Sequence, residues 1–333
     1  MSVIARDGVT MTSRNASTAS QFAPLNQQSL TDRVALVAGA TRGAGRAIAR
    51  DLAQAGAFVY CTGRSTSRRP SDYGRSETIE GTAELIRAEG GRAEAIVCDH
   101  LQLPMIDEVI RRIDEQHGRL DILLNDIGGE AYVSWGEKFW NTDFESGMRL
   151  VNAGLITHLN TAHAALPLLT RRPGGLHIEI TDGTDEFNAS HYRESIYLDL
   201  TKTGVSRLAF GLGHELAESG CTAVAITPGW LRSEMMLELF DTTEQSWLED
   251  SLDPTRELPP ADFAISETPQ FLGRTLVALA SDPDRHRFNT RTLNSCELGD
   301  LYDIDDIDGS RPDSWAFMAA KEADSGADAR DYR

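Results

Sequence analysis

Val34-Ala-Leu-Val-Ala-Gly-Ala-Thr-Arg-Gly-Ala-Gly-Arg-Ala-Ile-Ala49 is the stretch on which the reading of this chain turns. The apolar run 34–37 has the composition of a buried strand. Gly39, Gly43 and Gly45 follow, and an Ala-rich amphipathic run continues as a helix. Glycine permits positive φ and lets a ligand approach where a Cβ would block it. The helix behind the glycines points unpaired N–H groups and a partial positive charge at whatever lies above. Strand, turn and helix together make a pyrophosphate cradle, the opening of a dinucleotide-binding fold; the bland alternative is a tight structural turn.

Outward from this stretch, short apolar runs alternate with amphipathic ones. Strands are expected at 57–62, 92–97, 120–124, 176–181, 222–227 and 291–295. Helices are expected at 77–89, 104–116, 144–169, 197–219 and 269–280. Such alternation requires crossover connections and therefore a parallel sheet. Two segments break the rhythm, 129–141 and 230–267, and read as insertions in a single α/β domain covering 30–315. Residues 1–29, rich in Ser, Thr, Asn and Gln without an apolar core, read as a disordered leader, and 316–333 as a flexible tail.

The chain has 333 residues and a formal net charge of −19, which argues against nucleic acid or an anionic membrane as partner. No apolar run has the length of a membrane span. Cys61, Cys98, Cys221 and Cys296 lie far apart beside strand-like runs, as expected of reduced thiols in a cytoplasmic protein. No His, Cys or acidic cluster has metal-ligand spacing.

Further motifs follow in order: Asp99 after the third strand, Asn125-Asp126-Ile127-Gly128 after the fourth, Asn152 in the long helix, Lys202 in the next, and Pro228-Gly229 after the sixth strand. The ordered set closely resembles the short-chain dehydrogenase/reductase family over residues 30–309. The resemblance implies a Rossmann-type doubly wound parallel sheet of about seven strands. It also implies cofactor contacts from Gly39, Thr41, Arg42, Gly43, Gly45, Arg64, Asp99, Asn125, Gly128, Lys202, Pro228, Gly229 and Ser233. A small-molecule substrate and a homodimer or homotetramer built on the two long helices are implied as well.

Cofactor choice has its own argument. A carboxylate ending the second strand would bind a ribose 2′-OH and repel a 2′-phosphate. Here the strand ends Cys61-Thr62-Gly63-Arg64-Ser65, and Arg42 lies in the glycine turn. Two guanidinium groups suit a 2′-phosphate, so NADP(H) is expected.

The chemical half departs from the family's pattern. Its acid is a tyrosine four residues before the lysine, on the same helix face. Four before Lys202 stands Leu198; Tyr197 is five before, about 140° around the helix. A shift at the helix start or a π-bulge would bring Tyr197 round. The family's serine is replaced by Thr181-Asp182-Gly183-Thr184; a hydroxyl of Thr181 or Thr184 can donate, whereas an ionised Asp182 cannot. The catalytic set read from sequence is Tyr197, Lys202, Asn152 and Thr181. Three functions stay open: an NADP(H)-dependent carbonyl reductase or alcohol dehydrogenase, an enzyme of the same fold performing a rearrangement, elimination or cyclisation, and a nucleotide-binding scaffold. Trp135, Phe139, Trp140, Trp230, Met235, Met236, Leu237, Phe240 and Trp247 fall in segments that, by the resemblance, cover the site. Together they indicate a roomy pocket for an apolar or aromatic substrate. His191 is the one histidine near it.

Overall fold

The computed structural model describes residues 29–333, so the expected leader lies outside the described residues except for Ser29. The chain runs β1 (Val34–Ala38), α1 (Gly43–Gln54), β2 (Phe58–Gly63), α2 (Ile79–Ala88), β3 (Arg92–Val97), α3 (Leu103–His117) and β4 (Ile122–Asn125). It continues through α4 (Phe144–Val151), α5 (Thr157–Leu169), β5 (Leu176–Ile180), α6 (Asp185–Ser190), α7 (Ile196–Leu216) and β6 (Thr222–Thr227). Then come α8 (Glu234–Leu239), α9 (Trp247–Leu252), α10 (Pro269–Ser281), β7 (Thr292–Asn294), α11 (Ser295–Tyr302) and α12 (Ser314–Ala323).

The seven strands form one sheet in the order β3-β2-β1-β4-β5-β6-β7, every neighbouring pair parallel. Helices cover both faces, which is why β1 reads as an unbroken apolar run rather than an alternating one. Ala35 and Val37 face one layer with Ile48, Ile79, Phe271 and Leu276, whereas Val34 and Leu36 face the other with Ile106, Ile113, Leu123 and Leu168. The strand order reverses between β1 and β4, so the loops leaving their carboxyl ends diverge and open a crevice, where ligands of such sheets bind.

Three elements differ from the sequence expectation. The helix expected over 144–169 contains a π turn, Asn152–Ile156, between α4 and α5. Gly154 lies in this turn against Thr201 of α7, where a Cβ would come 2.6 Å from the threonine methyl. A short helix, α6, follows β5, capped by Thr184, whose hydroxyl accepts from the Phe187 amide at 3.2 Å. The tail is a docked element. Asp313 caps α12 by accepting from the Ala316 amide at 2.9 Å, Phe317 is buried, and Arg333 donates to the Ala264 carbonyl at 2.7 Å and to Asp308 at 2.6 Å. Sequence composition hid this because the apolar run 315–320 is short and a polar, charged stretch follows it.

Candidate active site

A cleft of about 910 Å³ follows the carboxyl ends of the central strands, from the β2–α2 loop at one end to α12 at the other. At its centre is the glycine turn. Gly39 and Gly43 have φ of 96° and 53°. A Cβ on Gly39 would overlap the Asp126 carbonyl, and one on Gly45 would lie 2.5 Å from the Gly39 carbonyl oxygen. These two glycines are needed for close packing. Gly43 is different: a Cβ there would meet nothing nearer than Ser233 at 4.0 Å, so the turn is open to the cleft. The Gly43 amide, first in α1, donates to Glu234 Oε1 at 2.9 Å. An anionic oxygen therefore already sits on the helix N-terminus, where a phosphate would be held.

Thr41, Arg42, Arg64 and Asp99 line the same end. Arg42 donates to Ser65 Oγ at 3.3 Å, while its buried Nε has no hydrogen-bond partner and lies 3.8 Å from Glu77. Arg64 is engaged by Asp72 at 2.7 Å. No acid ends β2, as the sequence reads, but Asp72 and Glu77 fold back onto this end from the following loop.

Below the cleft, Asn125 is fully buried and outside the lining. Its amide donates to Glu179 Oε1 at 2.9 Å and to the His158 carbonyl at 3.4 Å. His158 Nε2 lies 2.9 Å from the Ile127 carbonyl, which can only accept, and Nδ1 lies 2.5 Å from Glu179. Burial alone would lower the pKa of His158, but Glu179 outweighs it and holds it above the ordinary value. The network fixes the Asn125–Gly128 loop from beneath. Burial also pushes the carboxyl of Asp126 up to about 7, and that of Glu267, behind Gly229, up to about 8.

Past the turn, Gly128, Thr181, Lys202, Pro228, Gly229 and Ser233 line the cleft. Lys202 Nζ donates to Glu130 Oε1 at 2.6 Å, and the Tyr73 hydroxyl donates to Glu130 Oε2 at 3.1 Å. Burial and Lys202 pull the Glu130 carboxyl in opposite directions; Lys202 wins and holds it well below the usual range. Thr181 is spoken for: its hydroxyl donates to the Lys202 carbonyl at 2.7 Å. Asp182 accepts from Arg193 Nε at 3.2 Å. Asn152 sits in the π turn, outside the lining.

Tyr197 does not come round to Lys202. The π turn lies between α4 and α5, α7 is regular, and the phenol packs against Gly147 of α4 and the ring of Phe139, 5.4 Å between centroids. A Cβ on Gly147 would overlap the Tyr197 ring. Leu198 takes the position facing the cleft. The residues that sequence reasoning missed, Tyr73 and Glu130, sit in the connections between the main strands and helices, where no period marks a functional face.

At the far end, Trp135, Trp230 and Met235 line the cleft together with Phe187, Ile265, Trp315, Phe317 and Met318. Of the other apolar residues read as pocket, Phe240 and Trp247 pack around buried Phe263, and Trp140 points to solvent. His191 stacks on Phe187 and meets Glu322 of α12 at 2.5 Å, linking α6 to α12. All four cysteines are buried and free. Among the described residues no helix is long and apolar enough to cross a membrane.

A family model for short chain dehydrogenases matches residues 33–244. Dehydrogenase/reductase SDR family member 1 of Mus musculus is 32% identical over 294 residues, covering 83% of this chain and 84% of the relative. A 3-oxoacyl-[acyl-carrier-protein] reductase of Staphylococcus aureus is 27% identical over 255 residues, covering 76% of this chain and 92% of the relative. Among solved structures, a short chain dehydrogenase from Burkholderia cenocepacia in complex with NADP superposes with a TM-score of 0.61 at 21% identity, covering 81% of this chain and 97% of that one.

Proposed function

Since the chain belongs to the short-chain dehydrogenase/reductase family and is an oxidoreductase by that membership, we propose that it uses NADP(H) to reduce a carbonyl, or oxidise the alcohol, of a bulky apolar substrate. The observation that carries this reading is the continuity of the cleft: the glycine turn, the Lys202 ammonium and an aromatic wall lie along one cavity. The residues fit the cofactor. The Gly43 amide already holds a carboxylate oxygen, and the buried Arg42 Nε is a donor without a hydrogen-bond partner. Arg42 and Arg64 would hold the 2′-phosphate, with Asp99 at the adenine. Gly39, Thr41 and Gly43 would border the pyrophosphate, Gly45 closing the turn behind it. Asn125 and Gly128 shape the next wall, with Pro228, Gly229 and Ser233 at the nicotinamide and Lys202 on its ribose.

When bound, the cofactor supplies or accepts a hydride. The protein's own part is to orient the substrate, exclude water with the Trp135, Trp315 and Met318 wall, and hold a proton near the reacting oxygen. Consumption of NADPH against a panel of aromatic and long-chain ketones tests the reading; NADPH binding without turnover on any of them would refute it. That Leu198, rather than a phenol, faces the cleft favours the second reading, a rearrangement or elimination on the same scaffold, which such binding without redox turnover would select.

Cofactor choice is tested at Arg42. Replacing it with Ala removes a charged donor, and hydrogen bonds to charged groups are worth about 1.5–3 kcal/mol. NADPH affinity should therefore fall roughly ten- to a hundredfold while NADH affinity stays level, read from nicotinamide fluorescence. An equal loss for both cofactors would assign Arg42 to the shared pyrophosphate instead. We further propose a cytoplasmic location, consistent with four free thiols, and a homodimer or homotetramer through α4–α5 and α7, whose outer faces expose Phe144, Leu159 and Leu200. Light scattering should return at least twice the chain mass of 36.5 kDa; a monomeric mass would exclude the assembly.

A further inference from the structure

A carbonyl reduced in this cleft needs a proton, and the usual donor is missing. Leu198 lines the cleft where a phenol would stand, and Tyr197 faces α4. Three acids act on Lys202: Glu130, Asp182 and Asp126. Asp182 is engaged by the buried Arg193, and an ionised carboxylate only accepts. Asp126 lies behind the glycine turn, against Gly45. Glu130 is bound to Lys202 itself, with its second oxygen taken by the Tyr73 hydroxyl. It therefore uses one of the ammonium's three N–H donors and leaves two for the cleft.

We propose that the Lys202 ammonium, held charged and aimed by Glu130, delivers the proton to the substrate oxygen in place of the family's tyrosine. The proposal rests on the oxidoreductase reading above. In the reductive direction the carbonyl carbon gains the hydride and the C=O π pair moves to oxygen. An O–H bond forms as one Lys202 N–H bond breaks, leaving a neutral amine that regains a proton from solvent. The substrate is reduced and the cofactor oxidised. An alkoxide is a far stronger base than an amine, so the transfer runs downhill. Glu130 is a positioning residue: it acts through Lys202.

Several groups bear on the Lys202 charge. Glu130 and Asp126 come from the segment after β4 and Asp182 from the end of β5, with Tyr73 behind Glu130 and His158 below. On α7 itself Asp199 is turned to Arg193. Burial alone would lower the lysine's pKa; the three carboxylates outweigh it and the net is a rise. A raised pKa keeps the ammonium to higher pH, so reduction should fail only as pH climbs through that value. Removing the Glu130 charge should bring the failure to lower pH.

The chain has three lysines, Lys138, Lys202 and Lys321. Labelling with lysine carrying 13C at Cε gives three signals, assigned with Lys138→Arg and Lys321→Arg, and their titration needs no cofactor. In the wild type, the Lys202 signal should keep its charged-form position well into the alkaline range. In Glu130→Gln its midpoint should fall by about one pH unit or more. The alkaline limb of kcat should move down by a similar amount. Glu130→Asp, which keeps the charge, should restore the midpoint and part of the rate. A Lys202 midpoint that is the same in both proteins overturns the pairing; a shifted midpoint with an unmoved alkaline limb overturns the donor role. Absence of turnover in the wild type removes the oxidoreductase reading and the donor step with it, while the titration still decides whether Glu130 controls the lysine.

Discussion

Lys202→Met should abolish turnover, by about 10²–10⁴-fold in kcat, the range expected for loss of a positioned proton-transfer group. Met keeps most of the aliphatic stem, so the packing of α7 on the Gly154 turn survives. The substitution removes the ammonium and strands the Glu130 carboxylate. That side chain is 37% exposed to the cleft and can be rehydrated, so the loss should be chemical more than structural. The companion is Tyr197→Phe. Tyr197 does not line the cleft and its ring packs on Phe139 and Gly147, so deleting the hydroxyl should change kcat by no more than about twofold. The pair of results separates a lysine acid from a displaced tyrosine. Loss of turnover in both variants, with folding intact, would return Tyr197 to the chemistry, and retained turnover in Lys202→Met would remove the lysine from it.

The contrast between these residues shows what the sequence carries. The glycine turn was legible because backbone geometry demands it: positive φ at Gly39 and Gly43, and no room for a Cβ at Gly39 or Gly45, leave few alternatives. The parallel sheet was legible because short strand-like runs alternate with amphipathic helical ones, which requires crossover connections. Lys202 was legible through its place in an ordered set of motifs. Its partner was not, since Glu130 lies 72 residues away in a segment whose path is set only by tertiary packing. The same holds for Asp72 and Glu77, which sit beyond the strand end yet fold back onto Arg64 and Arg42. Tyr197 was misplaced by one helical position. The 100° step per residue already argued that it faces elsewhere, and Gly147 supplies the hollow that its ring fills.

The substrate end was half legible, as a count of aromatic residues without their arrangement, and Arg232 organises it. Arg232→Met should lower stability by about 3–5 kcal/mol, the cost of breaking a buried ion pair by removing one partner. The guanidinium is 1% exposed and joins three segments. Its Nε donates to Glu244 at 3.1 Å, between α8 and α9; one terminal nitrogen donates to the Ser266 carbonyl at 2.5 Å, before α10. The other lies 3.4 Å from Asp308 and 3.8 Å from buried Asp306, ahead of α12. Its plane also covers the Trp247 ring at 3.8 Å. Met matches the apolar contact and nothing else, so three carboxylates lose a shared counter-charge in a region that also seats Arg333. A thermal melt should show the midpoint lowered by roughly 10 °C. The glycine turn and Arg42 lie outside this joint, so the surviving folded protein should still bind NADPH while KM for a bulky ketone rises. A midpoint within about 2 °C of the wild type would mean that the packing of Phe240, Trp247 and Phe263 holds the substrate end without the arginine.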